Sequence, residues 1–216
     1  MNQLRIYFTA HQDQILSWAW TTVWLAALPV VIGLALALPS GWLAHRHRAV
    51  RVPLASGLGV LYTIPSVVMF LIIPEILGTK ILSPVNVVAA LSLYAFALLV
   101  RSVLDGLDSV PETLLSTATA MGHTTRQRLL FIQLPLALPV IGAGVRVAAV
   151  SNVSLVSVAS AIGTSQLGQL FLVGNNTSSL PPIVLGLVFF AAIALLFDLV
   201  VLAAIRLLAP WRAVNR

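Results

Sequence analysis

The sequence predicts an all-α membrane protein that crosses the bilayer about five times. Of its 216 residues, 59% are hydrophobic and only 8% are charged, and the mean hydropathy is +1.02. That balance is far from the composition of a water-soluble domain. The long uncharged runs cover residues 14–44, 52–74, 81–100 and 147–197. Because a spanning helix needs about 20 apolar residues, the first three runs can each cross once and the fourth twice.

The predicted helices follow these runs in order. We place them at about residues 15–44, 53–75, 84–101, 135–161 and 182–208. The first is long enough to need tilt or a kink, for which Pro29 and Pro39 offer places. Residues 163–182 are rich in glycine and asparagine around an apolar middle, which is typical of a short re-entrant or surface helix. The chain has no cysteine, which excludes a disulfide framework and a thiolate metal site.

The basic residues predict an orientation with the N-terminus outside and the C-terminus in the cytoplasm. The segments that would then face the cytoplasm carry Arg46, Arg48, Arg51, Arg101, Arg126, Arg128, Arg206, Arg212 and Arg216. The outer segments carry only Arg5 and Lys80, while Arg146 lies within a helix. Cytoplasmic loops of membrane proteins are enriched in lysine and arginine. We therefore attribute the net charge of +6 to membrane orientation and predict no nucleic-acid partner.

The cytoplasmic connection at about residues 102–134 combines helix and turn signals. Residues 112–121 favour a helix that ends at Gly122, since glycine readily adopts the left-handed conformation of a helix stop. Thr124 or Thr125 could cap a second short helix. Two short helices joined by a glycine predict a compact cytoplasmic protrusion.

The spacing in this connection resembles the coupling-loop signature of permease subunits from binding-protein-dependent ABC importers. The positions of that signature are occupied by Ala118, Gly122, Ile132, Leu134 and Pro135. Similarity to the glycine betaine, carnitine and choline branch extends through 61–70 (LYTIPSVVMF), 134–146 (LPLALPVIGAGVR) and 152–168. One departure is that Ser116 and Thr117 stand where the loops of the family usually carry a glutamate and an alanine.

The resemblance implies a type I ABC-importer permease fold, with residues 1–216 as a single transmembrane permease domain in the bacterial cytoplasmic (inner) membrane. It implies a transport subunit rather than an enzyme, with ATP and Mg²⁺ bound by a separate ATPase and no cofactor in this chain. The expected partners are a cytoplasmic ABC ATPase dimer, an extracytoplasmic solute-binding protein, and a second permease copy or a sister permease. The residues expected to contact the ATPase are Ser116, Thr117, Ala118, Ala120, Met121, Gly122, Arg126 and Arg128.

Polar residues inside the spans predict two further features. Arg146 and Asp198 would each cost about 2.5–3.5 kcal/mol at depth, and at about 1.5 Å per residue they lie at similar depths. We predict that they meet between the last two helices and orient them. The residues expected to line a translocation pathway are Tyr62, Thr63, Pro65, Ser66, Asn152, Ser154 and Ser157. For each serine, the alternative is a hydroxyl bonded to a carbonyl one turn back.

The functional hypothesis is an ATP-driven permease for a compatible solute of the glycine betaine, choline or carnitine type. Tyr62 could stack against a quaternary ammonium group. A permease for another small zwitterion or amino acid is the first alternative. A second is an ion-coupled carrier, which would favour unpaired acids facing a cavity. A membrane enzyme with a metal at His11, His45 and His47 is disfavoured, because the last two lie in an HRHR segment typical of a lipid anchor.

Overall fold

The computed structural model describes residues 2–209, so that Arg212 and Arg216 of the predicted cytoplasmic set lie outside the described residues. Within that range the chain is helical and contains no strand, which confirms the predicted fold class. The α-helices are α1 (Asn2–Arg46), α2 (Arg48–Thr63), α3 (Ser66–Leu77), α4 (Pro84–Asp108), α5 (Glu112–Ala120), α6 (Thr125–Arg128), α7 (Leu134–Val158), α8 (Gln169–Asn176) and α9 (Leu180–Leu208). The short α8 lies where the glycine- and asparagine-rich segment predicts one.

Four continuous helical segments are long and apolar enough to cross a membrane: α1, α4, the run containing α6 and α7, and α9. The fifth candidate is the pair α2 and α3, which bend by 107° at a short break. The prediction of one helix at 53–75 was therefore wrong. Ile64 is extended, with φ −68° and ψ 129°, because Pro65 disfavours the helical conformation of the residue before it and has no N–H to donate.

Two helices extend further than their sequence pattern predicts. α1 begins at Asn2 and passes through a non-helical residue at His11, whereas Pro29 and Pro39 lie inside the helix without ending it. α4 continues to Asp108, seven residues beyond its predicted end. Arg101 therefore lies about two turns inside α4 rather than in the cytoplasmic connection.

The helices of the bundle approach each other closely at glycines. Gly33 of α1 lies against Ala95 of α4, and Gly142 of α7 lies against Ile205 of α9. Such small residues allow membrane helices to gain van der Waals contact in the absence of a hydrophobic driving force between them. α4 is the most enclosed helix, and its apolar side chains belong to both buried clusters of the chain. α1, α2, α3 and α7 pack against α4, whereas α9 packs mainly against α7, α8 and α1.

Substitution of Gly33 tests this packing. A Cβ at Gly33 would lie 2.7 Å from the Ala95 Cβ and 2.8 Å from the backbone nitrogen of Phe96. Because backbone cannot move aside cheaply, we expect Gly33→Ala to cost about 1–3 kcal/mol and to lower the thermal midpoint of the purified protein by roughly 3–10 °C. Gly57→Ala is the matched control, because its Cβ meets no atom within 4 Å. An unchanged midpoint in Gly33→Ala would contradict the α1–α4 packing.

Candidate functional site

The segment between α4 and α7 forms a compact protrusion, as the glycine and the helix caps predict. Gly122 adopts a φ of +86°, and the amide of His123 donates to the carbonyl of Ala118 at 3.0 Å. This pattern closes the end of α5 in the way that a C-terminal glycine favours. Thr124, and not Thr125, caps α6: its hydroxyl accepts from the amide of Gln127, whose side chain in turn accepts from the amide of Thr124.

The protrusion is tied together internally and leaves one tip exposed. Arg128 donates from Nη1 to Thr119 Oγ1 at 2.5 Å, which links α6 to α5. Ala118 is only 4% exposed within this chain, and Leu115 of the same helix packs into the chain's own core. Met121 is 73% exposed. The other exposed members of the predicted ATPase-contacting set are Ser116, Thr117, Ala120, Gly122 and Arg126.

The second helix of the protrusion is continuous with a membrane helix. α6 passes through a π-helical segment at Leu129–Gln133 directly into α7, so that 125–162 form one uninterrupted helical run. We expected Pro135 to begin a separate helix. Instead, Pro135 follows a wider π-helical turn. In a regular α-helix its ring would clash with the carbonyl of Phe131. α6 is therefore joined to the bundle through continuous helix.

A polar cluster that sequence reasoning missed anchors the base of the protrusion. Asp108 is the last residue of α4, and its Oδ1 lies 2.9 Å from Nδ1 of His45. The Nη1 of Arg51 donates to the same oxygen at 3.3 Å, and its Nη2 donates to Oδ2. The cluster joins the turn between α1 and α2 to the end of α4. His45 therefore contributes to packing here, and the HRHR signal gave no indication of its acidic partner.

The structure brings Arg146 of α7 and Asp198 of α9 together. Arg146 donates from Nε to Oδ1 and from Nη2 to Oδ2, both at 2.7 Å. This two-pronged geometry is the strongest form of arginine–carboxylate contact. The side chains are 37% and 27% exposed, and each neutralises a charge that would otherwise be costly within a span. The pair fixes the rotation of α9 relative to α7.

The break between α2 and α3 gathers four of the pathway candidates. Tyr94 donates from its hydroxyl to the carbonyl of Ile64 at 2.5 Å, which satisfies a carbonyl freed by the break. The ring of Tyr62 meets the ring of Tyr94 edge-on at 5.7 Å and is 44% exposed. Thr63 and Pro65 are exposed and Ser66 is half-buried. Irregular backbone at membrane depth is tolerated where it is buried in protein or lines a water-filled cavity.

The three candidates on α7 have different environments. Asn152 is 1% exposed and donates to the carbonyl of Ala26 at 3.4 Å. It therefore links α7 to α1 and is closed to solvent in this structure. Ser157 donates to the carbonyl of Ser154 at 2.7 Å, which is the alternative foreseen for each serine. Of the three, Ser154 alone is exposed.

A second buried network, also missed from sequence, holds the segment that follows α7. Gln166 is fully buried. Its side-chain Nε2 donates to the carbonyl of Val156 at 2.9 Å, and its Oε1 accepts from the backbone amide of Gly168 at 2.6 Å. The amide of Leu167 donates to the hydroxyl of Thr22 on α1 at 3.1 Å. The run of glycine, serine and glutamine around these residues predicts a loop, but it contains no periodic signal for this fixed geometry.

Comparison with known proteins agrees with this architecture. A family described as "Binding-protein-dependent transport system inner membrane component" matches residues 29–214. The osmoprotectant import permease protein OsmW of Salmonella typhimurium (strain LT2) is 32% identical over 195 residues, covering 89% of this chain and 90% of that protein. The glycine betaine/carnitine/choline transport system permease protein OpuCD of Bacillus subtilis (strain 168) is 28% identical over 211 residues, or 97% and 91% of the two chains.

Two solved ABC transporters share the fold. A chain of the MetNI methionine ABC transporter in an inward-facing conformation superposes with a TM-score of 0.80 at 20% identity, over 92% of this chain and 98% of that one. A chain of an amino acid ABC transporter with histidines gives 0.73 at 19% identity, over 93% and 97%. The helical bundle thus has the type I fold of ABC-importer permeases. The chain belongs to the family of inner-membrane components of binding-protein-dependent transport systems, and it is an ABC-importer permease subunit.

Proposed function

We propose that the chain forms the membrane pathway of an ATP-driven importer for a compatible solute of the glycine betaine, choline or carnitine type. The single observation behind the coupling mechanism is the unbroken helical run from the protrusion into α7. Closure of a cytoplasmic ABC ATPase dimer moves the exposed tip around Met121, and α7 carries the displacement into the bundle. The support for the substrate is the 32% identity to an osmoprotectant import permease along most of both chains.

The same proposal includes the partners and the orientation. ATP and Mg²⁺ are bound by the separate ATPase, a solute-binding protein delivers the solute from outside, and a second permease copy or a sister permease completes the pathway. The N-terminus lies outside and the protrusion lies in the cytoplasm of a bacterial cell, as the excess of arginine in the corresponding segments favours. The absence of a GxxxxGK[ST] segment from this sequence supports ATP binding by another chain.

Transport by the whole importer tests the substrate. The chain is reconstituted into proteoliposomes with its ATPase and solute-binding protein, and uptake of radiolabelled glycine betaine is measured with and without ATP. We expect ATP-dependent uptake that unlabelled carnitine or choline reduces by competition. Uptake of methionine or another amino acid, with no uptake of a trimethylammonium solute, would favour the alternative substrate class.

A further inference from the structure

Arg101 occupies a place in α4 that neither the helix ends nor the ion pairs explain. The helix continues for seven residues beyond it, so at about 1.5 Å per residue it lies roughly 10 Å from the end. Charged residues within membrane spans are costly, and they face a bundle interior or a water-filled cavity and mark substrate pathways. Arg101 therefore needs a partner or a function.

The part of the chain that the structure describes supplies no carboxylate for this arginine. The ion pairs found there use Asp108 and Asp198, and none includes Arg101. The side chain is exposed, and its Nη2 donates to the carbonyl of Ala55 on α2 at 3.3 Å. A guanidinium carries five N–H donors in a planar fork that matches a carboxylate. Most of its donors thus remain available to a ligand.

The facing side of α2 is shaped to receive the guanidinium. Ala55, Gly59 and Tyr62 stand at positions i, i+4 and i+7, so they share one face of that helix. A Cβ at Gly59 would lie 2.6 Å from Nη2 of Arg101, so glycine provides the space that the side chain occupies. α4 presents Tyr94 and Arg101, also seven residues apart, to the same seam.

An aromatic ring lies further along the same seam, where Tyr62 of α2 meets Tyr94 of α4. Tyr62 follows Gly59 by three residues, or about 4.5 Å along the helix axis. Side chains lean toward the N-terminus of their helix, which directs the ring back toward Gly59. The edge-on contact with Tyr94 leaves Tyr62 44% exposed. The seam thus carries a cation-binding ring at Tyr62 and an anion-binding fork beside Gly59, one turn of α2 apart.

We propose that Arg101 and Tyr62 form a transient binding station for a small zwitterion on the translocation pathway, with the carboxylate on Arg101 and the quaternary ammonium on the Tyr62 ring. The inference rests on the proposed function and assigns Arg101 to those of its solutes that carry a carboxylate. A quaternary ammonium is attracted to an aromatic face, and arginine binds a carboxylate through two parallel bonds. Choline has no carboxylate, so its passage would leave the fork of Arg101 unused.

Uptake of two solutes by the whole importer tests the station. Proteoliposomes hold this chain with its ATPase and solute-binding protein, and the probes are radiolabelled glycine betaine and radiolabelled choline. Arg101→Gln removes charge-assisted bonds and should lower glycine betaine uptake about tenfold or more, with choline uptake unchanged. Arg101→Lys keeps the charge without the fork and should give an intermediate rate. The matched control is Arg206→Gln, an exposed arginine in the last turn of α9.

A second variant keeps the test decisive if Arg101→Gln fails to assemble with the ATPase. Gly59→Ala adds only a methyl group, which displaces the guanidinium, and it should lower glycine betaine uptake selectively. Glycine betaine uptake equal to that of Arg206→Gln would overturn the station and leave the proposed function intact. An equal fall for both solutes would assign Arg101 to helix packing or to a lipid headgroup and would also overturn it. Uptake of neither solute by the unaltered importer would contradict the proposed function itself.

Discussion

Asp198→Asn should lower the thermal midpoint of the purified protein by roughly 5–10 °C, given the usual scaling for a chain of this size. The variant leaves Arg146 charged within a span, replaces one of the two accepting oxygens by a donor, and removes the charge that strengthens the other 2.7 Å bond. Breaking a charged hydrogen-bonded pair is destabilising because it leaves the remaining charge without its partner, and the partial exposure of both side chains moderates the loss. Unfolding in detergent, followed by tryptophan fluorescence, measures the effect.

The double variant Arg146→Gln with Asp198→Asn tests whether the ion pair acts in helix packing or in solute transport. It removes both charges and lets two amides bond each other, so it should recover much of the lost stability. If the double variant also transports solute, the pair orients α7 and α9 without touching cargo. Arg206→Gln is again the control for loss of one positive charge. A midpoint unchanged by Asp198→Asn would contradict the view that this contact holds the two helices.

Met121→Asp should reduce solute uptake at least about tenfold while leaving the fold intact. Met121 is 73% exposed at the tip of the protrusion, so a carboxylate there disturbs no contact within this chain. The proposed coupling buries this tip against the ATPase, and an unpaired charge there would carry a large desolvation penalty, worth about tenfold or more in binding. The thermal midpoint should not move.

Met121→Leu is the matched variant, because it keeps an apolar side chain of similar volume at the tip. It should retain most of the uptake and the stimulation of ATP hydrolysis by the solute-binding protein. Equal uptake by Met121→Asp and Met121→Leu would show that the tip is solvated in the working importer, contrary to the proposed coupling.

Features set by local chemistry were predictable from the sequence. The spans follow from continuous apolar runs, and the end of α5 follows from Gly122, the one residue there that readily takes a φ of +86°. The contact of Arg146 with Asp198 was expected because two opposite charges at similar depth have few other partners. In each case the free energy that decides the structure depends on a short stretch of sequence or on the cost of one unpaired charge in the membrane.

The break at Ile64–Pro65 was not predictable, because proline alone does not decide the outcome in this chain. Pro29 and Pro39 remain inside α1, and Pro74 remains inside α3. What distinguishes Pro65 is a hydroxyl thirty residues away: Tyr94 satisfies the carbonyl that the break leaves free. The energy of a broken span thus depends on a tertiary contact.

The partners of small and charged residues were not predictable for a related reason. Ala118 is small enough for a partner's close approach, yet it is buried within this chain. Asp108 ends α4 and binds Arg51 and His45, which lie at distant positions in the sequence. Sequence pattern gives the size and charge of a side chain, whereas its partner depends on how the helices cross.

Site-directed photo-crosslinking most directly tests whether the protrusion contacts the ATPase. The chain has no cysteine, so Met121→Cys carries a single benzophenone label at the tip, and Asn176→Cys carries one at the exposed end of α8. In the assembled importer, the label at position 121 should crosslink to the ATPase, and the label at position 176 should not. Crosslinking from position 176 to the ATPase, with none from position 121, would contradict the proposed coupling.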